Sequence, residues 1–156
     1  FLIVIDNPKG ERIPLTISDY DAAAGTVDIV TQSVGASTMK IVAKNPGDSF
    51  SDVVGPLGKH SDFLDLAPEE LKNLSFVFIA GGVGTAPVYP QAKWLHEHGA
   101  HVEVIIGARN KELLIYTEQM EKVCDKLHLC TDDGSAGRKG FVTEAFTAWA
   151  RHYSKN

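Results

Sequence analysis

Cysteine is scarce in this chain of 156 residues: only Cys124 and Cys130 occur. They form no CxxC pair, so the sequence offers neither a disulfide framework nor a cysteine-built metal centre, and a reduced, cytoplasmic setting is expected. Basic charge is also short. Fifteen Lys and Arg against twenty Asp and Glu leave a net charge of -5, with no basic stripe. That balance argues against nucleic acid and anionic membranes as partners. No apolar run reaches about 18 residues and no charged start precedes a short apolar core, so neither a membrane span nor a signal peptide is expected. Ser-His-Asp, zincin and P-loop patterns are missing too. His96, His98 and His101 gather around Gly99, but that spacing across a helix end does not bring three nitrogens to one metal. His60, His128 and His152 show no partner in the sequence. No metal ligand and no catalytic acid or base is therefore assigned. What is present, 44% hydrophobic and 22% charged residues, is the composition of an ordinary globular chain of one domain or two small ones.

The chain changes character near residue 65. Before it, short β-type segments alternate with turns: a run over 1–5, a turn at Asn7-Pro8-Lys9-Gly10, a strand over 13–17, a polar turn over 18–25, and a period-two strand over 26–31. This pattern predicts a meander or barrel. A helix is expected over 36–44, stopped by Asn45-Pro46-Gly47, and a strand over 50–54. From Ala67 the order becomes strand, helix, strand, helix. Strands are expected over 76–80, 101–106 and 127–131, with helices starting at Pro87 and capped by Thr117 and by Thr143. Such alternation predicts a parallel α/β sheet. The expected domains are 1–66 and 67–156. Opening in mid-strand, the chain reads as a piece of a longer polypeptide.

The most informative stretch is Ser75 to Pro87. Five or six apolar residues run into Gly81-Gly82-Val83-Gly84-Thr85-Ala86-Pro87. A wholly apolar short run is a buried parallel strand. Glycines at its carboxyl end let a ligand approach the backbone, and a following helix directs N–H groups and its positive dipole end at that loop, which suits a phosphate. On this loop alone, a tight turn with glycines for packing is the alternative. Two further strand ends add weight, because ligands of open α/β sheets bind outside the carboxyl ends of the strands. Gly107-Ala108-Arg109 ends the second strand, with Asn110 and Lys111 beyond it. Asp132-Asp133-Gly134-Ser135 follows the third. Arg109 is placed to stack on an adenine or meet a phosphate, or is a solvated surface arginine. Adjacent Asp132 and Asp133 suit a ribose hydroxyl or a loop cap better than acid–base work.

These three motifs in this order resemble the nicotinamide-nucleotide domain of the ferredoxin–NADP reductase superfamily. The branch most similar is that of the FAD-carrying small subunit of NADH-dependent ferredoxin:NADP oxidoreductase (sulfide dehydrogenase subunit beta). The electron-transfer subunit of dihydroorotate dehydrogenase B and the hydrogenase gamma subunit are relatives. The resemblance covers nearly the whole chain. It implies a ferredoxin reductase-like α/β domain preceded by part of an antiparallel β-barrel FAD-binding domain. It further implies flavin contacts by Arg12, Pro14, Leu15 and Thr16, with Arg12 on the FAD pyrophosphate and Thr16 near the isoalloxazine. Gly35, Ser37 and Thr38 would form a loop and helix start whose backbone and hydroxyl meet the FAD phosphates. The pyrophosphate of NAD(P)H would lie over Gly82 to Thr85.

The implied function is an oxidoreductase module passing hydride from NAD(P)H to FAD, and electrons onward to an iron–sulfur partner, either a larger redox subunit or a ferredoxin-like acceptor. A [2Fe-2S] centre is expected in the parent protein but not ligated by this chain. No catalytic side chain is needed, because positioning and a dry contact suffice. The second reading is a non-catalytic nucleotide-binding or docking fragment of a larger redox complex. A missing carboxylate after the second strand favours NADP(H) on charge grounds. The branch resembled uses NADH, and NAD(H) is the expectation adopted.

Overall fold

A computed structural model of the chain describes residues 2–5 and 11–153. The turn expected at residues 7–10 lies outside the described residues. The chain divides into two compact units, Phe1–Ser61 and Asp62–Asn156.

The first unit is antiparallel. Strand β1 (Leu2–Val4) lies between β2 (Arg12–Pro14) and β5 (Asp52–Val54), with Ile3 opposite Ile13 and Val53. Ile3 and Ile5 are buried. Strands β3 (Ile17–Asp21) and β4 (Thr26–Ile29) form a separate hairpin. The polar segment over 18–25, expected as a turn, is therefore half strand. Its Asp19, Tyr20 and Asp21 pair with β4, Ser18 sits at a register shift, and only 22–25 turn, with Asp21 Oδ1 accepting from the Ala23 and Ala24 N–H groups at 2.8 and 2.9 Å. Cross-strand pairing here overrides weak β propensity. Helix α1 spans Ala36–Val42.

The second unit carries a parallel sheet in the order β6-β7-β8-β9: Ser75–Gly81, His101–Ala108, Lys126–Thr131 and Arg138–Lys139. Alternate residues of β7 face opposite sides. Val102, Val104 and Ile106 pack with Leu71 of α2 (Pro68–Leu71), Ala92 and Leu95 of α3 (Tyr89–Glu97) and Met120 of α4 (Thr117–Glu121). On the other face, Ile105 and Cys130 meet Ala145, Val142 and Trp149 of α5 (Val142–Tyr153). These layers cover both faces of the sheet, as a parallel sheet requires.

Three expected element starts move. Gly82–Thr85 winds into a 3₁₀ turn, so α3 begins at Tyr89 and not at Pro87. Tyr116, not Thr117, is the N-cap of α4, held at φ 60°, and its ring packs on that of Tyr89. At α5, Phe141 precedes the helix and its N–H donates to Glu144 Oε2, so Thr143 lies inside the first turn. Cys124 sits in the bend between α4 and β8.

Candidate functional site

The parallel register sets three strand ends abreast. Gly81 is opposite Gly107, Gly107 opposite Cys130, and Ala108 opposite Thr131. The Gly81–Pro87, Gly107–Arg109 and Asp132–Ser135 segments all leave this one edge.

Their glycines differ in what they accommodate. Gly82 (φ 52°) and Gly84 have no protein atom within 4 Å of the place a Cβ would occupy. Gly84 is not in the left-handed region, so neither packing nor backbone conformation demands glycine there. Gly107 is the opposite case. A Cβ on it would stand 2.8 Å from Val142 Cβ and 3.1 Å from Cys130 Sγ, so its lack of a side chain lets α5 approach the sheet. Val83 is exposed, whereas Thr85 and Ala86 are buried and anchor the turn. Thr85 Oγ1 has no hydrogen-bond partner.

The second and third loops are laced together. Asp132 and Asp133 N–H donate to the Ala108 and Arg109 carbonyls at 3.0 and 3.2 Å. Lys111 N–H donates to Ser135 Oγ at 2.8 Å, and Ser135 donates from both N and Oγ to Asp133 Oδ1 at 2.9 and 2.6 Å. The Ser135 side-chain hydrogen bond, then its backbone one, hold the Asp133 carboxyl below its ordinary value. Asp133 caps its loop. Gly134 provides the positive φ (81°) the turn needs. Arg109 is exposed at the rim.

The flavin-type residues all lie in the first unit. Ser37 Oγ donates to Glu11 Oε2, which joins the start of α1 to the start of β2. Arg12 is half-exposed and pairs with Asp52 at 3.4 Å. Pro14 is exposed, Leu15 half-buried and Thr16 exposed. Gly35 has extended backbone (φ -157°) and nothing within 4 Å of its Cβ position. Thr38 Oγ1 accepts from the Val34 and Gly35 N–H groups and donates to the Gly35 carbonyl, each at 3.0 Å. One hydroxyl has one donor and two acceptor sites, so all its capacity goes to shaping this turn. The Thr38 hydroxyl therefore has no capacity left for the phosphate contact expected of it, while the backbone N–H groups of the first turn have no intrahelical partners.

Sequence reasoning missed Glu103. It is 8% exposed on β7, and its Oε2 accepts from Trp149 Nε1 at 2.8 Å and lies 2.8 Å from His128 Nε2. His128, unpartnered on sequence, is thus paired. Burial raises the Glu103 carboxyl, but hydrogen bonds from His128, Trp149 and His101 together outweigh it and leave the value lowered. A lone charge inside Val-Glu-Val-Ile-Ile was the available signal. Cys124 and Cys130 are free and buried. Burial pushes the Cys124 thiol up to about 11 and raises that of Cys130. Among the described residues, no three His, Cys, Asp or Glu side chains are placed to hold a metal ion, and no helix is long and apolar enough to cross a membrane.

An antiparallel unit followed by a parallel sheet with three ligand-type loops at one edge is the architecture of ferredoxin reductase-like flavoproteins. A solved structure from work on flavin-based electron bifurcation by an NADH-dependent reduced ferredoxin–NADP oxidoreductase superposes with TM-score 0.81 and 37% identity. It covers 96% of this chain and 51% of that one. The Amycolatopsis cytochrome P450 reductase GcoB shares the fold at TM-score 0.68 and 23% identity, over 94% of this chain and 46% of its own. No protein-family model matches. The chain has the fold of the ferredoxin–NADP reductase superfamily. Within it, the chain is homologous to the electron-transfer subunits of dihydroorotate dehydrogenase B. The Thermotoga maritima homolog is 42% identical over 146 residues (93% of this chain, 49% of the relative), and the Fusobacterium nucleatum subunit 34% identical (85% and 49%). An uncharacterized Clostridium beijerinckii protein is 56% identical over 140 residues (90% and 47%). The chain spans about half the length of these relatives.

Proposed function

We propose that this chain is the part of a flavin-dependent oxidoreductase subunit that takes hydride from NAD(H), passes it to FAD and sends electrons to an iron–sulfur partner, in the cytoplasm. The observation that carries the reading is the pair of open glycines. The protein fills no space beside Gly82 and Gly84, and that space lies at the edge to which all three loops come. A pyrophosphate there meets backbone N–H groups and no side chain. Arg109 at the rim takes the adenosine end. NAD(H) is preferred over NADP(H) because two carboxylates, Asp132 and an Asp133 held ionised, share a hydrogen-bonded unit with the Arg109 loop. Negative charge on the loop bonded to that of Arg109 disfavours a 2′-phosphate there.

The first unit fits FAD. Arg12 is a half-exposed cation near a helix start whose Gly35 leaves an open approach, and Ser18 and Thr31 hold buried hydroxyls without partners. Arg12, Thr16 and the first-turn N–H groups at Ser37 and Thr38 would hold it, beside the open approach at Gly35 and with Pro14 and Leu15 next along the chain from Arg12. The flavin, when bound, accepts a hydride and releases electrons singly. The chain's own residues bind and orient the two cofactors, and no side chain is assigned a proton transfer. The electron acceptor is a larger redox subunit or a ferredoxin-like protein.

The visible spectrum with added FAD, before and after NADH, tests this. Flavin absorption that NADH bleaches, and NADPH bleaches far less, is the expected result. Dinucleotide binding without flavin would favour a docking fragment; binding of neither would remove both readings.

A further inference from the structure

The sheet face beneath α5 leads to a second site, away from the glycine loops. Strand β8 pairs with β7 along its length but with β9 only at Cys130 and Thr131. Among the described residues, its outer edge from Lys126 to Leu129 has no strand beside it, and the loop at Gly137 covers that edge only at the Leu129 carbonyl. Along this edge runs a cleft of about 490 Å³. Leu127 and Leu129 line it, although their side chains pack into the opposite core. What they present to the cleft is strand backbone. The inner wall is Trp149, stacked on Tyr153 with ring centroids 5.0 Å apart.

The charge around the cleft runs against that of the molecule. Lys126 and Arg138 border it with exposed side chains, in a chain of net charge -5. Its one carboxylate, Glu103, is already bonded by Trp149 and His128. An unpaired strand edge recruits another strand through its N–H and C=O groups. A basic rim selects acidic side chains on that strand. A small anion would meet the cations but would leave the strand edge unused.

We propose that this cleft docks an extended acidic segment of a partner subunit, which adds to the free edge of β8 as a further strand. The test uses the full, ¹⁵N-labelled chain and a capped Glu-Val-Glu-Val-Glu peptide followed by NMR. Amide shifts centred on 126–129, with a shift of the Trp149 indole N–H, are expected. Methylating alternate peptide nitrogens, or the double change Lys126→Glu with Arg138→Glu, should each weaken binding about tenfold. A Lys-Val-Lys-Val-Lys peptide should not bind. No binding, shifts elsewhere only, equal binding of the methylated peptide, or benzenesulfonate moving the same amides when the peptide does not, would overturn the proposal. The unchanged dispersion of the remaining amides shows that the charge-reversed variant is folded.

Discussion

At the scale of single residues, two glycines of neighbouring strand ends have opposite reasons to be glycine. Gly107→Ala drives a methyl to 2.8 Å from Val142 Cβ. Overpacking of this kind costs about 1–3 kcal/mol, so the thermal midpoint should fall. Gly84, open and outside the left-handed region, should tolerate the same change with little effect on it. Glu103 is the residue whose charge matters most to α5. Its folded-state carboxyl lies below the ordinary 4.5, so ionised Glu103 adds stability above that pH, and the contribution is lost as pH falls through the lower folded value. Glu103→Ala leaves the Trp149 indole N–H without its partner in a part-buried place. A loss of about 1–3 kcal/mol at pH 7 is predicted from urea unfolding, shrinking as pH falls below 4.5, while Glu103→Gln keeps an acceptor and loses less. With its thiol pushed up to about 11 and buried, Cys124 should resist iodoacetamide at pH 8 in the native chain and react once it is unfolded. Mass spectrometry of the alkylated chain reads this directly.

At the scale of elements, the loops after β7 and β8 act as one piece because Ser135 touches both. Ser135→Ala removes the Lys111 and Asp133 hydrogen bonds. A few-fold loss of NADH affinity is predicted, on the order of 1 kcal/mol, with the unfolding midpoint nearly unchanged; isothermal titration beside thermal denaturation separates the two. The parallel strands were legible in the sequence because a sheet covered on both faces writes continuous apolar runs; Val104-Ile105-Ile106 of β7 is buried as such a run predicts, whereas Phe76-Val77-Phe78-Ile79, expected to be buried, lies on the edge strand β6, half-buried and with Ile79 exposed. The β3 strand was not. Ser18-Asp19-Tyr20-Asp21 has turn composition, and only pairing across the hairpin makes it extended. The start of α3 was misread for a local reason. A proline fits the first helical turn, but Gly82 at positive φ first winds a 3₁₀ turn, which delays the helix to Tyr89. The site loops were legible as loops. The commitment of the Thr38 hydroxyl to the Val34 and Gly35 N–H groups was not, because a capping Thr and a phosphate-binding Thr look alike in sequence.

At the scale of the whole molecule, an antiparallel unit precedes a parallel unit with three loops at one sheet edge. That order is shared with relatives about twice as long. The resemblance read from three motifs named the superfamily correctly because those motifs mark the carboxyl ends of three consecutive strands. The -5 net charge, read as evidence against anionic partners, hides the local cation excess beside β8. A sum over the chain cannot show it.

If the loop over Gly82 to Thr85 seats a dinucleotide pyrophosphate, Gly84→Val is the variant that must lose it. With nothing within 4 Å of the Gly84 Cβ position, the variant should keep its unfolding midpoint. The valine should instead occupy the space of the phosphates and abolish NADH binding in a calorimetric titration. A folded Gly84→Val chain that binds NADH as tightly as the parent would contradict the account.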